Sequence, residues 1–213
     1  MARRRLTRDE QREQTRIRLL DAAERVLAKR GYADASVEEV AALAGFSRGA
    51  VYSNFKSKED LFFACFDDVL AKRLPELFGA VRAAGKTESP TSTARTGGGL
   101  FGLFMGEDLE WFRVYVDFLA QAGRTPRLRK RVAERVRAIH DTVRELIETI
   151  ARDTDMPLPA SSDLLATAAL SMSEGFALRR LVDPAKYPEE MNQDLLGLLF
   201  GGVAALSEAS EGL

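Results

Sequence analysis

The sequence predicts an all-α protein: a small N-terminal head of three helices, joined by a long helix to a larger C-terminal helical body. Three observations carry this. Apolar residues recur at three- and four-residue spacing along nearly every segment, the period of a helix with one buried face. Serines able to cap helix starts and glycines able to end them punctuate the first 60 residues. No stretch alternates apolar and polar residues as a strand would, and no internal repeat is visible. The expected division is residues 1–60 and residues 61–213.

The first helix is expected from Asp9 to Arg30, with Leu19, Leu20, Ala23, Val26 and Leu27 on one stripe. Gly31 should end it, because glycine takes the left-handed conformation of a C-terminal cap. Ser36 and Glu39 form a capping box, each side chain satisfying the other's backbone donor. The short helix they open carries Val37, Val40, Ala41 and Ala44 inward and stops at Gly45. After Phe46, Ser47 caps a third helix through Phe55, and Ser57 with Asp60 launches a long helix carrying Phe62, Phe66, Leu70, Leu74, Leu77 and Val81. The polar, glycine-rich segment Gly85–Gly99 reads as a loop; it lacks the spacing of a phosphate cradle. An aromatic-rich stretch from Leu100 to Ala122 follows, then helices over Pro126–Arg152, Ser162–Leu181 and Pro188–Glu208.

Bulk properties narrow the class. The chain has 213 residues, 46% hydrophobic and 30% charged, as an ordinary globular protein does. Its longest apolar run, Leu195 to Leu206, is broken by glycines and falls short of the roughly 20 residues a membrane span needs. The N-terminus is basic but has no apolar core of a signal peptide, and the single Cys65 can form no internal disulfide; a cytoplasmic location is expected. One histidine, one cysteine, no G-x-S-x-G and no metal-ligand spacing leave an enzyme without support, and neither cofactor nor metal is expected.

Net charge is −1, but residues 1–60 hold 13 Lys/Arg against 10 Asp/Glu, and the remainder 18 against 22. A basic end on a near-neutral chain suits contact of that end alone with a polyanion. The layout from Val37 to Phe55 (helix, tight turn, second short helix) is that of a helix-turn-helix, in which the first helix braces the second and the second enters the major groove. Val51 and Phe55 face inward; Arg48, Gly49, Tyr52 and Ser53 face out. Arg48 suits a guanine edge or a phosphate, Gly49 lets the backbone approach closely, and the Tyr52 hydroxyl can donate to a phosphate. Lys56 and Lys58 can reach phosphates, and Ser36 and Ser47 place helix-start donors where an anion would sit. The plainer alternatives are that the serines only cap, Tyr52 packs, and Arg48 and Lys56 are solvated charges.

The run from Gly31-Tyr32 through Ser36-Val37-Glu38-Glu39-Val40-Ala41-Ala42-Leu43-Ala44-Gly45-Phe46-Ser47-Arg48-Gly49-Ala50-Val51-Tyr52-Ser53-Asn54-Phe55-Lys56-Ser57-Lys58-Glu59-Asp60-Leu61 resembles the signature of the TetR/AcrR transcriptional regulators. Leu19-Leu20-Asp21-Ala22-Ala23 matches that family's first helix, so the resemblance covers about residues 12–65. It implies an all-helical homodimer that usually represses, releasing a palindromic operator when a small molecule fills the C-terminal body. By the family's pattern Ser36, Ser47, Arg48, Gly49, Tyr52, Asn54, Lys56 and Lys58 face DNA. Ser53 and Asn54 depart from the tyrosine and histidine common there, which leaves open what those two positions touch. An activator, or a regulator without an inducer, is the alternative.

In the body, Leu165, Ala168, Ala169, Met172 and Phe176 form one stripe, and the last helix is apolar nearly all round, so a partner chain is expected on these two helices, with an intrachain core as the alternative. Gly197, Gly201 and Gly202 allow close helix approach. Phe101, Phe104, Met105, Trp111, Phe112, Tyr115, Phe118, His140, Met172 and Phe176 are the candidates for lining an effector site, suited to an apolar or mixed ligand; for each of them ordinary core packing is the alternative.

Overall fold

The computed structural model describes residues 7–86, 89, 91–97, 109–153, 155, 158, 160–211, with side chains described to residue 202. Its helices are α1 (Arg8–Asp34), α2 (Val37–Ala44), α3 (Arg48–Asn54), α4 (Lys58–Gly85), α5 (91–97), α6 (Glu110–Arg124), α7 (Pro126–Asp153), α8 (Ser162–Val182) and α9 (Glu190–Glu211), and no strand occurs among the described residues. The chain forms two compact units: Met1–Lys72 with Arg113–Phe118, and Arg73–Phe112 with Leu119–Leu213.

In the first unit, α1 opens on a reciprocal capping box: the Glu10 N–H donates to the Thr7 hydroxyl at 3.2 Å, and the Thr7 N–H to the Glu10 carboxylate at 2.7 Å. Its stripe Leu19, Leu20, Ala23, Val26 and Leu27 is buried as expected. Gly31 breaks the helix at φ 73°, and one further turn follows it to Asp34. Ser36 meets half of its expected role. Its hydroxyl accepts the Glu39 N–H at 3.1 Å, but the Glu39 carboxylate takes the Ser36 hydroxyl (3.2 Å) and Arg30 (3.1 Å) instead of a backbone donor. Gly45, at φ 72°, closes α2 as expected. Leu61, Phe62, Phe63 and Cys65 from the start of α4 lie at the centre of the unit, all at or below 1% exposure. Phe118 joins them, its ring 4.4 Å from Tyr32, 5.0 Å from Phe63 and 5.6 Å from Phe66.

In the second unit α7 packs along α8, and α8 along α9. Ile147, Leu165 and Ala166 form a core, with Val143, Leu158, Ala160 and Phe200 against it. The expected loop over Gly85–Gly99 needs correction: Gly85 ends α4, and residues 91–97 are helical. Ser89 starts that helix, its hydroxyl accepting the Ser92 N–H at 3.2 Å and its carbonyl the Thr93 N–H at 2.9 Å. Two α9 glycines then let it settle. A Cβ at Gly201 would stand 2.7 Å from the Thr91 hydroxyl, and one at Gly197 would stand 2.7 Å from Arg95 Cγ. Arg95 also pairs with Asp194. Threonine and arginine side chains laid on bare backbone make a helix that apolar periodicity cannot reveal. Residues 87, 88, 90, 98 and 99 of that segment lie outside the described residues.

Candidate nucleic-acid interface

The turn between α2 and α3 is held from α1. Arg18 donates to the Ala44 carbonyl at 3.0 Å and lies 4.7 Å over the Phe46 ring; Arg16 lies 4.6 Å over Phe55. A guanidinium on the last carbonyls of α2 also complements the negative end of that helix. At the start of α3 the Ser47 hydroxyl accepts the Ala50 N–H at 3.2 Å. Val51 and Phe55, at 1% and 4% exposure, anchor the helix, while Arg48, Gly49, Tyr52 and Ser53 line its open side.

Arg48 is the best-defined cation on that side. Its Nη1 stands 3.0 Å from Glu38 Oε1 of α2, and its guanidinium lies 5.4 Å from the Tyr52 ring centre. A hydrogen bond with Tyr52, and next the charge of Glu38, raise its pKa above the ordinary value. Tyr52 is 42% exposed, so it is no core aromatic. A Cβ at Gly49 would meet only the Ser47 hydroxyl, at 3.6 Å, so the fold itself does not demand glycine there.

The remaining expected residues are Ser36, Asn54, Lys56 and Lys58. Ser36 is half-buried between the Glu39 N–H and carboxylate. Asn54 turns back on its own helix, donating to the Ala50 carbonyl at 2.8 Å, and the Ser53 hydroxyl donates to the same carbonyl at 2.8 Å. Lys56 is exposed beyond the end of α3. Lys58 donates to the Ala33 carbonyl at 3.2 Å and sits 5.5 Å over Phe62 and 5.6 Å over Tyr32, which ties the start of α4 to the end of α1.

The effector candidates divide between the units. Trp111 (with Arg73 5.6 Å over its ring) and Phe112 are buried in the second unit; Tyr115 and Phe118 belong to the first, where Phe118 is part of the aromatic core. His140 Nε2 lies 3.0 Å from the Thr167 hydroxyl and 3.8 Å from Asp163. Met172 is half-buried, and Phe176 is buried edge-on to Tyr187 at 6.5 Å. Phe101, Phe104 and Met105 lie outside the described residues. Sequence reading missed Arg16, Arg18, Glu38 and Asp117; the cation–aromatic and ion pairs they make join separate helices, and no local pattern announces them.

Two family models match this architecture. The N-terminal domain of the bacterial regulatory proteins, tetR family, matches residues 19–65, and the C-terminal domain of BetI-type transcriptional repressors matches residues 104–198. The chain belongs to the TetR family of DNA-binding transcriptional regulators. The HTH-type transcriptional regulator TtgR of Pseudomonas putida is 42% identical over 60 residues, a stretch spanning 28% of this chain and 29% of that protein. The match thus takes in less than a third of that relative's length. A transcriptional regulator from Rhodococcus sp. Rha1 superposes with a TM-score of 0.70 at 25% identity, over 88% of this chain and 95% of that one. FadR of Bacillus subtilis, solved in complex with stearoyl-CoA, superposes with a TM-score of 0.66 at 17% identity, over 88% and 98% of the two chains. No helix among the described residues is long and apolar enough to cross a membrane.

Proposed function

We propose that the chain is a homodimeric repressor that holds a palindromic operator through α3 and releases it when a small molecule enters the C-terminal body. The observation that carries the reading is the open side of α3: Arg48, Gly49 and Tyr52 stand outward while Val51 and Phe55 lock the helix to its support. Arg48 serves base reading; Ser47, Tyr52 and Lys56 serve phosphates. Ser36, Asn54 and Lys58 act chiefly by fixing the helices that carry those contacts.

Self-association is supported by the outer surface of α8 and α9. Leu165 and Phe176 of the expected stripe are buried within the chain, whereas Leu164, Leu178 and Val182 on α8 and Leu198 on α9 are between 47% and 85% exposed. Large apolar side chains repeated along two helices suit a second copy of the same surface. The dimer would set its two reading helices about 34–36 Å apart, one turn of DNA.

For the effector, the aromatic content of the second unit and the stearoyl-CoA held by Bacillus subtilis FadR support a molecule with a long apolar part and a polar part. Trp111, Phe112, His140, Met172 and Phe176 are the described residues proposed to meet it. Operator affinity falls only by the effector's differential affinity for the two states.

Selection from a randomised duplex library tests the reading. Recovery of a palindrome whose half-sites are spaced by one helical turn supports it; recovery of no preferred sequence contradicts it.

A further inference from the structure

We infer that Glu38 is a specificity-determining residue, which holds the Arg48 guanidinium in base-reading orientation and keeps it from spending itself on a phosphate. This rests on the operator-reading role proposed for α3.

Glu38 is the second residue of α2, and its acidic side chain already suits the positive start of that helix. It does something more. Its carboxylate reaches across to α3 and meets Arg48 Nη1 at 3.0 Å, although both side chains are more than half exposed. Arg48 is the first residue of α3, where a cation faces the unfavourable end of the helix dipole, and Glu38 offsets that. On the other side the guanidinium lies against Tyr52. The fork is therefore held on two sides by residues of two different helices.

That matters because arginine is long and carries considerable rotamer freedom, which a bidentate bond to guanine must remove. An unrestrained Arg48 would take the nearest phosphate, a contact that adds affinity and no sequence information. An anion beside it also repels the backbone of any duplex seated in the wrong register. In water an exposed pair of this kind contributes little to stability. Its value appears when DNA covers it, where a misplaced carboxylate is penalised and a well-placed fork is already formed.

Affinities would be measured for wild type, E38Q, E38D and E39Q against a duplex selected by the wild type, its single-base-pair variants and an unrelated duplex. Glu39 is the internal control. It stands on the same turn but bonds Arg30 and Ser36, so E39Q removes an equal charge without touching Arg48. E38Q should tighten binding to the unrelated duplex and lower the ratio of selected to unrelated affinity about tenfold, with the loss concentrated at one base pair of each half-site. R48A should lose discrimination at that same base pair. E38D, which keeps the charge but withdraws the carboxylate, should lose discrimination without gaining unrelated affinity. E39Q should leave the base-pair profile unchanged. A profile unchanged in E38Q and E38D, or a loss spread evenly over all positions, overturns the inference. Failure of the wild type itself to prefer any sequence refutes the operator reading and this inference with it, and is told apart because it occurs without any substitution.

Discussion

The backbone N–H of Tyr32 donates to the Asp117 carboxylate at 3.0 Å, joining α6 to the end of α1 across 85 positions of sequence. The bond stands where Gly31 breaks α1, and a Cβ on Gly31 would collide with that same carboxylate. Left-handed backbone, bare glycine and acceptor thus form one joint.

Gly31→Ala should therefore destabilise the protein by about 1–3 kcal/mol, through the positive φ and through displacement of Asp117. Denaturant unfolding followed by circular dichroism checks this. Stability equal to wild type would show that the joint is not strained by a side chain.

Gly31 also marks how far sequence reading reaches. That a glycine would interrupt the chain there follows from local helix chemistry, as do the caps at Ser36, Ser47 and Ser57 and the stripe from Leu19 to Leu27. That Asp117 would fill the break does not follow, because nothing local pairs positions so distant. The same limit separates Val51 and Phe55, whose inward direction is fixed by helical period, from Arg18, whose contact with Phe46 depends on how two helices cross. Residues 91–97 escaped for another reason: a helix packed through threonine, arginine and glycine has no apolar stripe to read. At the interface the outward set around Arg48 and Tyr52 was legible, while the inward turn of Asn54 and the engagement of Lys58 with Ala33 were not.

Arg18→Ala removes the contact with Phe46 and a charged hydrogen bond to Ala44. A stability loss of about 1–2 kcal/mol is expected, with weaker duplex binding because the turn before α3 loosens. Thermal melts and duplex titration together check it; a variant with unaltered melting and binding would remove Arg18 from the account.

Gly49→Ala should separate fold from function. Its Cβ meets nothing closer than 3.6 Å, and alanine is the better helix former by about 1 kcal/mol, so stability should hold or rise. Affinity for the selected duplex should nevertheless fall, because the added methyl stands on the side of α3 proposed to meet DNA. An alanine variant that binds as tightly as wild type would place Gly49 away from DNA.

Val182→Glu tests self-association. Val182 is 85% exposed at the end of α8, beside the exposed Leu178 one turn earlier. The variant should keep its helical content and sediment as a smaller species than the wild type, for which a dimer is proposed. Unchanged sedimentation would put the dimer face elsewhere.

The most direct measurement is a fluorescence titration of a selected duplex with wild type, Arg48→Ala and Tyr52→Phe across a series of salt concentrations. The wild type should bind with a steep salt dependence and clear preference over an unrelated duplex. Arg48→Ala should lose most of that preference, and Tyr52→Phe should weaken binding to both duplexes, with the oligomeric state unchanged in each. Equal affinity of all three proteins for both duplexes would contradict the assignment of α3 as the reading helix.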